Sequence, residues 1–248
     1  MLLFEKYILW FFLYSVLGWI YETTLCSVRE RRFINRGFLN GPYCPIYGCG
    51  AVLDIILLGK IENPVALFFS AALLTSVLEY ITSWAMEKLF HARWWDYSER
   101  KFNINGRICL IGVLAFGSFS VILLKLLHPL VVKYTDLIPD KLIAVSVIVI
   151  IAIMLADIVF TTTEFAKFND VLHEFSEIID DSVDSLKCLY ERTSTSYKGT
   201  IYRINSQIRR MLFSFPLLRS TRYNDAVKRL RILMKKERDE KGKDGEKH

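Results

Sequence analysis

Over the first two thirds of the chain, apolar residues run in blocks too long for a strand and too unbroken for a surface helix. Five blocks of helical length, roughly 5–25, 43–59, 64–88, 107–128 and 141–163, are separated by short polar connections. A run of about 20 apolar residues matches the hydrocarbon thickness of a bilayer, so residues 1–163 are expected to hold five membrane spans. Beyond them the period changes. Phe165, Phe168, Leu172, Phe175, Ile179, Leu186 and Leu189 alternate by threes and fours around a break at Ser182, and Ile201, Ile204, Ile208, Met211 and Phe215 follow before Pro216. Residues 164–236 therefore read as amphipathic helices that pack on each other or on a second copy, and the charged residues 237–248 as a disordered end. The expected fold class is all-α: a polytopic membrane protein of about five transmembrane helices with a cytoplasmic helical tail.

Charge assigns sides to these spans. The connection 26–42 carries Arg29, Arg31, Arg32 and Arg36, and 88–107 carries Lys88, Arg93, Arg100, Lys101 and Arg107; 18 of the 32 Lys and Arg lie after residue 163. The excess of cations on these connections and the tail places them in the cytoplasm, with the N-terminus outside, in the cell membrane and against anionic lipid. The opening MLLFEKYILWFFLY lacks a basic region and a cleavage site, so it reads as a retained first span. Five Cys without paired spacing read as reduced.

Two stretches share letters at an interval of 65 residues: LNGPYCPIYG (39–48) and INGRICLIG (104–112). The same shift superposes Trp19 on Trp84 and Glu22 on Glu87, which suggests an internal repeat of parallel helical hairpins, about 5–59 and 64–128, with 141–163 unpaired. Asn40 and Asn105 stand where N-caps are expected, before Gly41 and Gly106. Pro42, Pro45, Gly48 and Gly50, with Tyr43 among them, predict a kinked or broken second span. Glu22 and Glu87 end their helices where the dipole opposes an anion, and Arg107 begins one where it opposes a cation. These charges are relieved if the carboxylates face the opposing helix starts and Arg107.

Polar residues inside a bilayer are costly and mark candidate sites. Glu79, Ser83 and Glu87 share a stripe at i, i+4 and i+8, while Asp54 and Asp157 lie within other spans; they serve either as interhelical hydrogen-bonding groups or as an ion, proton or substrate path opening to the cytoplasm. The connection HARWWDYSERKFNING adds Asp96 and Tyr97 in an aromatic loop suited to a lid or docking surface. Glu87 and His91 are four apart, but no Cys or His cluster completes a ligand set, so no metal and no cofactor is expected.

The stretches LGWIYET, RGFLNGPYCPIYG, LEYITSWAMEKLFHARWWDYS and NINGRICLIG resemble the bacterial membrane family labelled putative ABC-transporter type IV, or CmpB-like, formerly a domain of unknown function, over residues 8–130. The resemblance directs attention to Glu22, Asn40, Gly41, Pro42, Tyr43, Pro45, Glu79, Glu87, Trp95, Asp96, Tyr97, Asn105 and Gly106. It implies transport, as does the repeated-hairpin architecture. Absence of G-x-x-x-x-G-K-[ST] means that ATP-driven transport would need a separate ATPase chain or other cytoplasmic partner. Two alternatives stand beside it: a non-catalytic scaffold or regulator binding partners through its tail, and an interfacial lipid-modifying enzyme. Lipid and a second copy of the chain are expected partners; nucleic acid is not.

Overall fold

The computed structural model describes residues 2–184 and 206–245. Helices α1 (Leu2–Glu30), α2 (Pro45–Leu58), α3 (Pro64–Phe90), α4 (Leu110–Ile122), α5 (His128–Thr135) and α6 (Asp140–Asp184) precede α7 (Ser206–Ser214) and α8 (Asn224–Gly245). Two small antiparallel ribbons accompany them: β1 (Ala92–Arg93) pairs with β4 (Arg219–Ser220), and β2 (Asn103–Ile104) with β3 (Ile108–Cys109). Leu186, Leu189, Ile201 and Ile204 lie outside the described residues.

The protein is an all-α polytopic membrane protein. Among the described residues, four helical segments are long and apolar enough to cross a bilayer: α1, α3, the continuous α4–α5 rod Leu110–Thr135, and the first part of α6. α3 shows why they need lipid, since Val65, Phe69, Leu73, Val77, Ile81 and Trp84 form an exposed apolar stripe along one side. The expected second span is shorter than a full crossing. α2 has 14 residues, about 21 Å at 1.5 Å per residue, against a hydrocarbon core of about 30 Å. Pro45 opens it, and residues 38–44 before it are irregular chain. Leu39 and Tyr43 in that chain are buried against Met154, with Phe11, Phe12, Val16 and Ile150 around them.

A five-residue π turn, Leu123–Leu127, joins α4 to α5. Pro129 cannot donate to the carbonyl four residues back and its ring crowds it; a wider turn, in which the His128 N–H reaches the Leu123 carbonyl, carries the helix past that point.

The chain divides into two compact units, Met1–Ala85 with Trp95–Thr161, and Met86–Trp94 with Thr162–His248. In the first, α1 and α2 approach closely at glycines: the Tyr47 ring covers Gly18, and Gly48 lies against Ser15 and the Phe11 carbonyl. The connection after α1 is tied back to it. Trp19 Nε1 donates to Asn35 Oδ1 at 2.7 Å, the Arg36 amide to Thr23 Oγ1 at 3.3 Å, and the Ile34 amide to Ser27 Oγ at 2.9 Å. Trp19, Thr23 and Ser27 are four apart, so one face of α1 holds the whole loop.

In the second unit Trp94 packs on Phe90 and Phe165 and is 2% exposed, a core residue rather than an interfacial anchor. Phe168, Leu172, Met211, Leu212, Leu218, Val227, Leu230 and Met234 are also buried there. Residues 237–245 of the charged end belong to α8, which runs from Asn224 to Gly245. Val227, Leu230 and Met234 give α8 an apolar face, at i, i+3 and i+7, that the surrounding Lys and Arg concealed.

Candidate functional site

The first Asn-Gly does not cap a helix. The N-cap of α2 is Cys44 and makes no side-chain cap bond. Asn40 and Gly41 instead surround Asp157 of α6. Asp157 Oδ1 accepts from the Asn40 amide at 3.1 Å, Asn40 Nδ2 at 3.0 Å and Thr161 Oγ1 at 3.1 Å; Oδ2 accepts from the Gly41 amide at 2.8 Å and the Tyr43 hydroxyl at 2.6 Å. Irregular backbone is tolerated at membrane depth only where its polar groups are satisfied by protein. One carboxylate with five donors does that here, and Tyr43 is buried beside it while Pro42 is exposed. The sequence marked Asp157 only as a polar residue in a span; its i+4 companion Thr161 was the available signal.

The second Asn-Gly has another conformation. Asn105 (φ 52°) and Gly106 (φ 67°) are both left-handed, and the Arg107 amide closes the turn on the Ile104 carbonyl at 3.0 Å. They form the tip of the β2–β3 hairpin, the use for which Asn-Gly is best suited. Helix α4 starts beyond the ribbon, with Cys109 as N-cap. The expectation that both asparagines cap helices is therefore corrected, because one side chain is taken by Asp157 and the other donates to the Tyr80 hydroxyl at 2.9 Å.

The hairpin delivers Arg107 and Tyr97 to α3. Arg107 is 7% exposed; its Nη1 donates to Ser83 Oγ at 3.1 Å, and its guanidinium lies 5.6 Å from the centre of the Tyr80 ring. Trp95 Nε1 donates to the Arg107 carbonyl, and the Tyr97 amide to the Gly106 carbonyl. Asp96 accepts from the Ser98 amide and hydroxyl and so shapes its own loop. Tyr97 hydrogen-bonds Glu79, and burial, then the Glu79 charge, hold its phenol well above the usual range. It is a proton donor at neutral pH.

Glu79 is 6% exposed, and its Oε2 has no hydrogen-bond partner among the described residues. A Cβ placed on Gly112 would stand 3.8 Å from that oxygen and 3.8 Å from the Cys109 sulfur, so α4 passes directly beside the carboxylate. Glu22 of α1 acts on the same group electrostatically. It accepts from the Tyr47 hydroxyl at 2.7 Å and lies 3.7 Å from Arg36 Nε. Tyr47 stands in the first turn of α2, so Glu22 lies at the start of that helix, held by a phenol and a guanidinium. The structure thus gathers Glu22, Glu79 and Tyr97, with Ser83 and Arg107 one turn along α3, and adds Tyr47 and Arg36. Glu87 belongs to the second unit, where it pairs with Arg93 at 2.6 Å.

No group of three or more His, Cys, Asp and Glu suited to a metal occurs among the described residues. No curated protein and no solved structure matches the chain. A family model does: that described as "Putative ABC-transporter type IV" matches residues 9–162, which contain the Asp157 clasp and the Glu79 cluster. The chain therefore belongs to the Putative ABC-transporter type IV family.

Proposed function

We propose that the chain is a membrane transport protein, a permease-like subunit whose ion or substrate site is the polar cluster around Glu79. The observation that carries this reading is the buried Glu79 carboxyl in a spanning helix, one oxygen of which lies beside Gly112 and has no hydrogen-bond partner among the described residues. A carboxyl confined in this way is costly unless a proton or cation occupies it. Glu22 beside it raises the attraction for a cation, while Arg36 and Arg107 compensate the charge of the empty cluster. The short α2 behind its irregular lead-in is a further support, since interrupted helices commonly line transport sites.

The Arg-rich connections and the second unit face the cytoplasm in this reading, the N-terminus lies outside, and the cluster opens to the cytoplasm of a cell membrane. Any ATP-driven cycle draws on a separate ATPase chain. The second unit, with its own buried core, also suits the alternative of a scaffold that docks partners.

Purified protein in liposomes tests the proposal through uptake of radioactive sodium and rubidium and through proton movement read by a pH-sensitive dye. Uptake that falls about tenfold in Glu79→Gln, with the variant folded, supports it. Absence of ion flux, or flux indifferent to Glu79→Gln, overturns it in favour of the scaffold reading.

A further inference from the structure

A line of polar groups runs along the α4–α5 rod from Ser120 to Asp136. Ser120 of α4 hydrogen-bonds Asp54 of α2. His128 Nδ1 and the Tyr14 hydroxyl share a bond of 2.9 Å, and Thr135 Oγ1 accepts from Trp10 Nε1 at 3.2 Å. Beyond them Lys6 and Asp136 form an ion pair at 2.7 Å. Gly112, at the other end of the rod, lies beside Glu79 Oε2 and about 80° around the regular helix α4 from Ser120.

The π turn makes this alignment. Residues eight apart in a regular α-helix are about 80° out of line, but the π turn between Ser120 and His128 takes up one extra residue and returns them to nearly one face. His128 and Thr135, seven apart, share that face without help. Removing the bulge would turn His128 away from Ser120.

Asp54 sets the line apart from ordinary helix–helix hydrogen bonding. It is 2% exposed, and its Oδ1 has no partner among the described residues. A carboxyl serving only to join α2 to α4 would be expected to use both oxygens. Asp54 and Glu79 both keep one in reserve.

We propose that this line conducts protons between the Glu79 cluster and the Lys6–Asp136 end of the bundle, making the proton the transported or coupling ion. The proposal rests on the transport reading above and names its ion. A proton enters at Glu79, which Glu22 faces from α1 and Tyr97 from the hairpin loop, with Arg36 beyond. It passes to Asp54, faced by Ser120, and then to His128, faced by Tyr14 and Trp10, before leaving past Asp136 and Lys6. At every step an O–H or N–H bond breaks as another forms on the next lone pair, so the protein returns to its starting state. Gly112, Ser120 and His128 are spaced by eight residues, about 12 Å of rod, so short water chains must bridge the stations.

The test uses the full chain in liposomes loaded with a pH-sensitive dye, with a potassium diffusion potential set by valinomycin. The expected result is a potential-driven pH change that falls at least about tenfold in Asp54→Asn and in His128→Gln, with Ser118→Ala as an unaffected control. Thermal unfolding in detergent screens for misfolded variants; Ser120→Ala, a milder change beside Asp54, is expected to slow the flux without loss of fold. Infrared titration supplies a readout independent of flux, the carboxylic-acid band that Asp54→Asn removes. Folded Asp54→Asn and His128→Gln proteins with normal proton flux overturn the proposal. Glu79-dependent sodium or rubidium flux without proton movement overturns it too but leaves the transport reading standing, whereas no flux of any ion overturns both.

Discussion

The Asp157 carboxylate shows how a single side chain can permit irregular backbone inside a membrane bundle. Two amides, a side-chain amide and two hydroxyls converge on it. Tyr43→Phe removes one bond to a charged acceptor and is expected to cost about 1.5–3 kcal/mol, read from thermal unfolding in detergent. Asp157→Asn is expected to cost more, because an NH₂ group would face the Gly41 or Asn40 donors. Unchanged melting of both variants would mean that apolar packing alone holds residues 38–44. The ion pairs make a second test at this scale. Glu87 and Arg93 should couple in a double-mutant cycle by about 1 kcal/mol, a modest value because both side chains are partly exposed. The sequence identified Glu87 and Arg107 as charges in need of partners. It paired them with each other and with helix starts, and did not foresee Arg93, six residues from Glu87, or Ser83 as partners.

At the scale of elements, the same dipeptide serves two conformations. Asn40-Gly41 has no left-handed residue, whereas Asn105-Gly106 has two. Gly106 also has no room for a side chain, since Asp96 and Ser98 occupy the space a Cβ would take. Gly106→Ala is therefore expected to cost about 1 kcal/mol in backbone strain, with the steric conflict added, and to loosen the hairpin that delivers Arg107 and Tyr97. Hydrogen exchange at the Tyr97 and Arg107 amides would register it; full protection there would contradict the assignment. Gly48 is the corresponding contact between helices. Gly48→Val pushes on the Phe11 carbonyl, part of a helix that cannot yield like a flexible side chain, so a loss of about 1–3 kcal/mol is expected. The break before α2 was legible in Pro42, Pro45, Gly48 and Gly50. Its depth was not, because only the distant Asp157 makes that backbone tolerable.

For the whole molecule, the second unit begins before the last spanning helix, with Met86–Trp94, and resumes at Thr162. β1 pairs with β4, the Thr221 amide donates to the His91 carbonyl at 2.8 Å, and Trp94 packs on Phe165. Cutting the chain after residue 161 is therefore not a neutral removal of a tail, since Phe90, Ala92 and Trp94 lose their cover. The truncated protein is expected to enter the membrane yet aggregate or melt lower in detergent, which size-exclusion chromatography and thermal unfolding would show. A monodisperse truncated chain with unchanged melting would count against the two-unit organisation.

The sequence by itself determined the helical class, four of its five expected membrane-spanning segments and the amphipathic character of the later helices, because hydropathy and its period are local properties that each stretch carries wherever it packs. It also singled out most of the polar residues, since a charge in an apolar block is conspicuous without knowledge of its surroundings. Tertiary structure alone decided their partners. Asn40 meets Asp157 across 117 residues, and Ser120 joins a line with His128 only because a π turn rotates one toward the other. Hydrogen bonds act over about 3 Å and depend on direction, so the role of each polar side chain is settled by where the packed helices bring its neighbours, at a range no spacing along the chain records.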